Sequence, residues 1–191
     1  MHRASSALLA VTILAASAAA GAAPAGWKPY TDPKIGFTIA YPPGWTVNTH
    51  HESVSRGPDY PIPGVSFQIP PAMAAGTNLS PDQTFIAVES QTGRNCKAAQ
   101  FLDPVENEHS LKADGRIYDA ASSGDAGAGN LYETRLFVIV GTSPCIAVRY
   151  FIHSTNIGNY DPGTVKAFDE KKLIAAFDAI RATLRLKGES L

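Results

Sequence analysis

The chain has 191 residues, is 45% hydrophobic, and carries 16 basic against 17 acidic side chains. This length and composition suit one domain with a sizeable core. The near balance of charge argues against nucleic acid as a partner and against electrostatic binding to anionic membranes.

The N-terminal residues 1–22 have the composition of a secretory signal peptide. A basic start that includes Arg3 is followed by a short apolar run, residues 8–14, and by Ala-x-Ala motifs typical of a cleavage site. The apolar run is too short to span a bilayer, which requires about 20 residues. We therefore predict that residues 23–191 form a single domain, periplasmic or secreted, with no membrane span after the signal is removed.

Two cysteines, Cys96 and Cys145, remain in this exported chain. Oxidising compartments favour disulfides, and two cysteines allow only one intramolecular pairing. We predict a structural disulfide, which requires Cα atoms within about 7 Å of each other; the alternative is two buried thiols. The absence of a C-x-x-C motif argues against a redox enzyme.

Alternating apolar and polar residues predict several strands along the chain. The predicted strands are residues 37–41, 45–48, 65–69, 84–89 and 117–123, with Phe37, Ile39, Tyr41, Trp45 and Val47 as core candidates. Residues 97–102 suit a short helix that ends before Pro104. The glycine-rich residues 124–130 link two strands and open no helix, so they predict a hairpin tip rather than a phosphate-binding loop.

A long hairpin forms the centre of the predicted sheet. Two runs rich in Val, Ile, Phe and Tyr flank the turn residues 141–144, which is typical of a β-hairpin. If these four residues form the loop, Tyr132 faces His153, Thr134 faces Phe151, and Leu136 faces Arg149. A slip of one residue would reverse every side chain, so the facing pairs test the register.

The last element is a predicted amphipathic helix over residues 170–185. Leu173, Phe177, Ile180 and Leu184 lie on one stripe, and Asp169 can cap the N-terminus. The stripe must be buried, and a sheet face is the available surface. We therefore predict an α+β fold: an antiparallel sheet with the C-terminal helix packed on one face.

The pattern Y-x-D-x-x-x-G-F-x-I-x-Y-P-P-G-W, residues 30–45, resembles the opening of PsbP-type domains. That superfamily includes an extrinsic subunit of photosystem II and a Ran-binding nuclear import factor. The resemblance implies an α/β sandwich with an antiparallel sheet and an accessory binding role rather than an enzymatic one. Residues 74–82 and 147–169 also resemble a family of exported proteobacterial proteins, which implies export but no particular activity.

His153 is the first residue that we consider as a functional candidate. It ends an apolar strand and opens a polar loop, and polar groups that converge at a strand end can line a ligand pocket. We predict a binding site formed by a small set of residues: Arg149, His153, Asn156, Asn159 and Tyr160. The alternative is structural, since His and Asn side chains commonly satisfy the backbone groups of loops.

Arg149 lies within an apolar strand and therefore needs either a partner or a route to solvent. A neighbouring strand or an anionic ligand would have to supply the partner, and we expect instead that the side chain faces the surface. Residues 50–52, His-His-Glu, do not have the spacing of a metal site, because adjacent strand residues point to opposite faces. The sequence predicts neither a metal nor a cofactor.

The sequence predicts an exported, non-enzymatic binding or accessory module, whose partner is an unidentified protein or small molecule. No catalytic residue is assigned, because the chain has no G-x-S-x-G motif and no recognisable triad. The alternative function is a small periplasmic hydrolase that uses His153 with acidic or hydroxyl neighbours from other strands.

Overall fold

The computed structural model describes residues 23–189, so the predicted signal peptide lies outside the described residues. Ten strands and one α-helix follow one another along these residues. Their bounds are β1 Lys28–Asp32, β2 Phe37–Tyr41, β3 Thr46–Ser53, β4 Ile62–Gln68, β5 Phe85–Gln91, β6 Glu106–Ala113, β7 Arg116–Gly127, β8 Asn130–Ile139, β9 Cys145–Thr155, α1 Glu170–Arg181 and β10 Arg185–Leu186. None of the helical segments within residues 23–189 is both long and apolar enough to cross a membrane.

The strands form two antiparallel sheets. The large sheet has seven strands in the order β3-β4-β5-β9-β8-β7-β6, and the small sheet has the order β1-β2-β10. The small sheet and α1 together cover one face of the large sheet. The main core lies between these two layers and includes Phe37, Phe67, Val148 and Phe177. Burying such large side chains contributes about 1.5–3 kcal/mol each relative to exposure.

The predicted α+β class is wrong. Among residues 23–189, strands make up 47% and there is a single short α-helix, so the fold is a β-rich sandwich. The sequence underestimates the number of strands because β1, β6 and β10 lie at sheet edges. An edge strand need not bury a continuous apolar face, so its sequence lacks the pattern that predicts a strand. The sequence of β6, ENEHSLKA, is mostly exposed and shows no clear alternation, so its strand was not predicted. Residues 97–102 form only a 3-10 turn, Ala98–Gln100.

The predicted central hairpin is confirmed in detail. β9 lies at the centre of the large sheet, and its register with β8 pairs Tyr132 with His153, Thr134 with Phe151, and Leu136 with Arg149. Odd-numbered residues of β9 therefore face away from α1, and even-numbered residues face the main core. We call the face of the large sheet that points away from α1 the outer face. The alternation along β9 means that only its odd-numbered side chains can form a site there.

The helix begins where the sequence predicts. The Asp169 carboxylate accepts a hydrogen bond from the Lys172 amide at 3.0 Å, and the predicted stripe, ending at Leu184, is buried. The helix ends at Arg181, earlier than predicted, because the chain then turns into β10 and pairs with β2. Arg181 is itself buried and joins α1 to the large sheet through Tyr150, whose hydroxyl lies 2.8 Å from its guanidinium.

A second, smaller core lies on the outer face of the large sheet. The segment from residue 92 to 105 covers part of this face and contributes Ala98, Phe101 and Leu102. The predicted disulfide is confirmed: Cys96 and Cys145 are bridged, with their Cα atoms 5.3 Å apart. The bridge therefore fastens the covering segment to the first residue of β9.

We predict that replacing both Cys96 and Cys145 by Ser lowers the free energy of unfolding by up to about 4 kcal/mol, the chain-entropy value for a loop of this length. The residues are 49 apart in sequence, so the reduced chain gains considerable freedom when it unfolds. Urea denaturation of the variant and of the oxidised and reduced wild type measures the effect. Equal stability of oxidised and reduced wild type would contradict it.

Candidate ligand cleft on the outer face of the large sheet

The part of the outer face that the covering segment leaves open carries a row of rings. His51 contacts Phe85 with centroids 5.1 Å apart, and Phe85 stacks on Phe151 at 5.3 Å. The row continues through Tyr132, which stacks on His153 at 4.7 Å. Strand pairing produces this row, because Phe85 lies directly opposite Phe151 and Tyr132 directly opposite His153.

A cleft of about 440 Å³ opens at one end of this row. Its size is within the range of small-molecule sites. Most of the surface that its lining exposes is apolar, although polar and charged residues also line it. The lining residues are His51, Glu52, Ser53, Val54, Ser55, Gln83, Phe85, Thr134, Arg149 and Phe151.

Three buried polar side chains meet beside the cleft. Arg149 Nε and Nη2 donate to the two carboxylate oxygens of Glu89 at 2.6 and 3.0 Å, and Nη2 also donates to the Phe101 carbonyl at 2.7 Å. His51 Nε2 lies 3.0 Å from Glu89 Oε1. Glu89 is 0% exposed and Arg149 is 1% exposed, so the ion pair is removed from water.

The charge state of Glu89 follows from these contacts. Burial by itself disfavours the carboxylate, but the Arg149 guanidinium and the hydrogen bonds from His51 and Arg149 outweigh burial and lower the pKa of Glu89. The carboxylate is therefore ionised at neutral pH and acts only as an acceptor. Consequently the hydrogen between Glu89 and His51 belongs to His51 Nε2.

Two nitrogen atoms of this cluster make no hydrogen bond to another residue within the described range 23–189. These atoms are Arg149 Nη1 and His51 Nδ1. The unpaired side-chain atoms of residues 23–189 that are fully buried are Arg116 Nη1 and His153 Nδ1, so neither atom of the cluster belongs to that group. Both side chains line the cleft. Arg149 Nη1 and His51 Nδ1 are therefore the polar groups that the cluster offers to a ligand.

A glycine makes room for this cluster. A Cβ atom built on Gly64 of β4 would lie 2.5 Å from the Val88 carbonyl oxygen and 3.1 Å from Glu89 Cγ. Any larger residue would have to push β4 away from β5, because the nearest contact is with backbone. Gly64 thus allows Glu89 to lie beneath His51, which pairs with Gly64 across the strands.

The predicted site residues separate into two places. Arg149 lines the cleft, whereas His153, Asn156 and Asn159 converge on the tip of the β7–β8 hairpin. His153 Nε2 lies 3.0 Å from Asn130 Oδ1, and Asn159 Nδ2 donates to the Gly129 carbonyl at 3.1 Å.

Asn156 accepts from the Gly158 amide at 2.9 Å, and Tyr160 is 37% exposed outside the cleft lining. The contacts of both Asn side chains match the structural alternative, in which they satisfy loop backbone groups.

The expectation that Arg149 faces the surface is wrong. Its partner is a carboxylate on the neighbouring strand β5, the possibility that the sequence left open. Sequence reasoning also missed Glu89, His51, Phe85 and Phe151 as site residues. An acidic residue inside the strand sequence FIAVESQ is the one available signal, because a buried carboxylate requires a cation.

A larger cavity, of about 630 Å³, lies at the other end of the hairpin around residues 141–144. We favour the smaller cleft as the candidate site for a chemical reason. Arg116, a partly buried cation in the lining of the larger cavity, is already held by Glu189 and the Leu184 carbonyl, and its one unpaired nitrogen is sealed from solvent.

No protein-family model and no curated protein sequence matches the chain. Among solved structures the chain is similar to a protein from Bacteroides thetaiotaomicron, with 14% identity, a TM-score of 0.47 and 86% of this chain covered, although the chain spans only 50% of that protein. It is also similar to the cyanobacterial PsbP protein (CyanoP) from Synechocystis, with 12% identity, a TM-score of 0.43, and coverage of 90% of this chain and 98% of that one. Both likenesses are distant, and neither transfers an activity to this chain.

We predict that Glu89→Gln lowers the free energy of unfolding by about 3–5 kcal/mol, because it leaves the Arg149 charge buried without its partner. The double variant Glu89→Leu/Arg149→Met removes both charges and should lose clearly less. Urea denaturation measures both. Glu133→Gln, which breaks a half-exposed pair with Arg135, is the control and should cost about 1 kcal/mol or less. Equal losses for the two Gln variants would contradict the prediction.

The lowered pKa of Glu89 also predicts a dependence of stability on pH. The usual glutamate value is 4.5, so the carboxylate's contribution is fully present above that pH and is lost as pH falls through the lower, folded-state pKa. The stability difference between wild type and Glu89→Leu/Arg149→Met should therefore change in favour of the double variant below pH 4.5. Both proteins retain Glu189, whose pKa is also lowered, so its effect cancels. A difference that stays constant down to pH 3 would overturn this prediction.

Proposed function

We propose that this chain is an exported, non-enzymatic binding module that takes a small organic ligand in the cleft between His51 and Phe151. The observation that carries the proposal is the buried Arg149 in the lining of that cleft, whose Nε and Nη2 are held by Glu89 and Phe101 while Nη1 makes no hydrogen bond to a described residue. A ligand acceptor in the cleft would give this Nη1 donor the partner that the described residues do not supply. The aromatic walls would supply the apolar contact that most small-molecule sites provide.

The proposed location is the periplasm or the medium outside the cell. Residues 1–22 support it through their signal-peptide composition, and the Cys96–Cys145 bridge supports it because disulfides persist in oxidising compartments.

The hydrolase alternative has less support from the geometry. A catalytic His153 would need a hydroxyl, thiol or water-activating carboxylate within hydrogen-bond reach. The side-chain hydrogen bond of its ring goes instead to the Asn130 amide, and its other nitrogen is buried without a partner among the described residues. A binding role is therefore the better account of this face.

The direct test is NMR titration of the oxidised protein with three phenyl compounds: benzamide, methyl benzoate and benzoate. We expect at least one of them to shift the backbone amide signals of residues 51–55, 83–85 and 149–151, with millimolar affinity typical of such small probes. Signals of the larger cavity, residues 141–144, should not move. If none of the three shifts the cleft signals, the proposed function is wrong for this class of ligand and this face.

Matched variants locate the binding surface. Phe151→Ala removes a wall of the cleft and should weaken binding of the best probe at least about fivefold, through lost apolar burial. Tyr160→Ala removes a ring of the originally predicted site, outside the cleft lining, and should leave affinity unchanged. If Tyr160→Ala weakens binding and Phe151→Ala does not, the binding site is the polar loop that follows β9 rather than the cleft. Thermal unfolding of both variants shows whether each remains folded during the titration.

A further inference from the structure

The charge state of Glu89 determines which nitrogen of His51 donates a hydrogen bond and which one accepts. Because this carboxylate is ionised and only accepts, His51 donates to it through Nε2. In the neutral imidazole the second nitrogen, Nδ1, then carries a lone pair and accepts. The buried cluster therefore offers the cleft one acceptor, His51 Nδ1, and one donor, Arg149 Nη1.

The residues that line the cleft provide no uncompensated positive charge. The positive charge of Arg149 is compensated by Glu89, with which it shares two hydrogen bonds. No second Lys or Arg is among the lining residues, and Glu52 adds a negative charge at the rim. A carboxylate ligand would meet the lone pair of His51 and the charge of Glu52 without an uncompensated cation to balance them.

A neutral group that accepts from Arg149 and donates to His51 matches this arrangement. An amide has both functions on adjacent atoms, since its oxygen accepts and its N–H donates. An ester or ketone would satisfy Arg149 but leave His51 Nδ1 without a donor. The rings of Phe85 and Phe151 can pack against an apolar or aromatic group attached to the amide.

On the basis of the proposed function, we propose that the cleft recognises the amide group of a small neutral ligand, with the carbonyl oxygen on Arg149 Nη1 and the N–H on His51 Nδ1. Arg149 and His51 are then the residues that determine specificity, and Glu89 positions both of them. This assignment concerns ligand recognition alone and involves no chemical step.

The three probes test this assignment through their relative affinities for the wild-type protein at pH 8. Benzamide should bind about tenfold more tightly than methyl benzoate, because the ester leaves His51 Nδ1 unsatisfied. It should exceed benzoate by at least as much, because benzoate carries a charge and no donor. If the three compounds shift the cleft signals with equal affinity, or if benzoate binds best, the amide assignment is wrong while the cleft remains the binding site.

Variants of His51 separate recognition from stability. His51→Gln keeps one N–H that can donate to Glu89 and one oxygen that can accept from the ligand, so the preference for benzamide should survive. His51→Leu removes the acceptor and should reduce the preference over methyl benzoate to about twofold or less. A Leu variant that keeps the tenfold preference would overturn the role of His51. If that variant does not fold, the order of the three probes on the wild type still decides the matter.

Discussion

The ion pair between Arg149 and Glu89 determines how the centre of the large sheet is built. Both side chains are buried, and an unpaired charge in either position would cost several kcal/mol. The pair forms only if β5 lies beside β9 in the observed register, with Ala87 opposite Arg149 and Ala147 opposite Glu89. A slip of one residue in either strand would place its charged residue on the opposite face from its partner. The same register brings Phe85 opposite Phe151, so the constraint that positions the charges also forms the walls of the cleft.

Adjacent residues of β9 serve the two faces of the sheet differently. Arg149 points outward to Glu89, whereas Tyr150 points inward, where its hydroxyl contacts Asp178 and Arg181 of the helix at 2.8 Å each. Burial raises the pKa of Tyr150 well above its usual value, so the hydroxyl stays protonated and can donate to Asp178. On the inner face Arg181 is additionally held by Asp114 and covered by the Phe137 ring. The inner polar cluster joins two layers, while the outer one lies at the edge of the covering segment, beside the open cleft.

The sequence could predict features that depend on neighbours along the chain. The β8–β9 register follows from a four-residue turn, the Asp169 cap from local spacing, and the Cys96–Cys145 bridge from having only two cysteines. The partner of Arg149 could not be predicted in this way, because Glu89 is 60 residues away and meets it only when β5 pairs with β9. The fold class failed for a related reason. Edge strands such as β6 are defined by the strand beside them rather than by their own hydrophobic pattern.

The position of the cleft follows from where the covering segment ends. This segment is fastened at Cys96 by the disulfide, and the Ala98 amide donates to the buried Asp119 at 2.9 Å. At its far end the Phe101 carbonyl accepts from Arg149 at 2.7 Å and from the Ser55 hydroxyl at 2.7 Å. These two bonds fasten the end of the covering segment at Phe101 to Arg149 and Ser55, which line the cleft. Beyond them the rings of Phe85 and Phe151 are only half-buried, because no element of the described chain packs above them. Because the covering segment is fastened at both ends and stops beside a buried cation, the cleft exists before a ligand binds, and such a pre-formed cleft lowers the entropy cost of holding a small ligand.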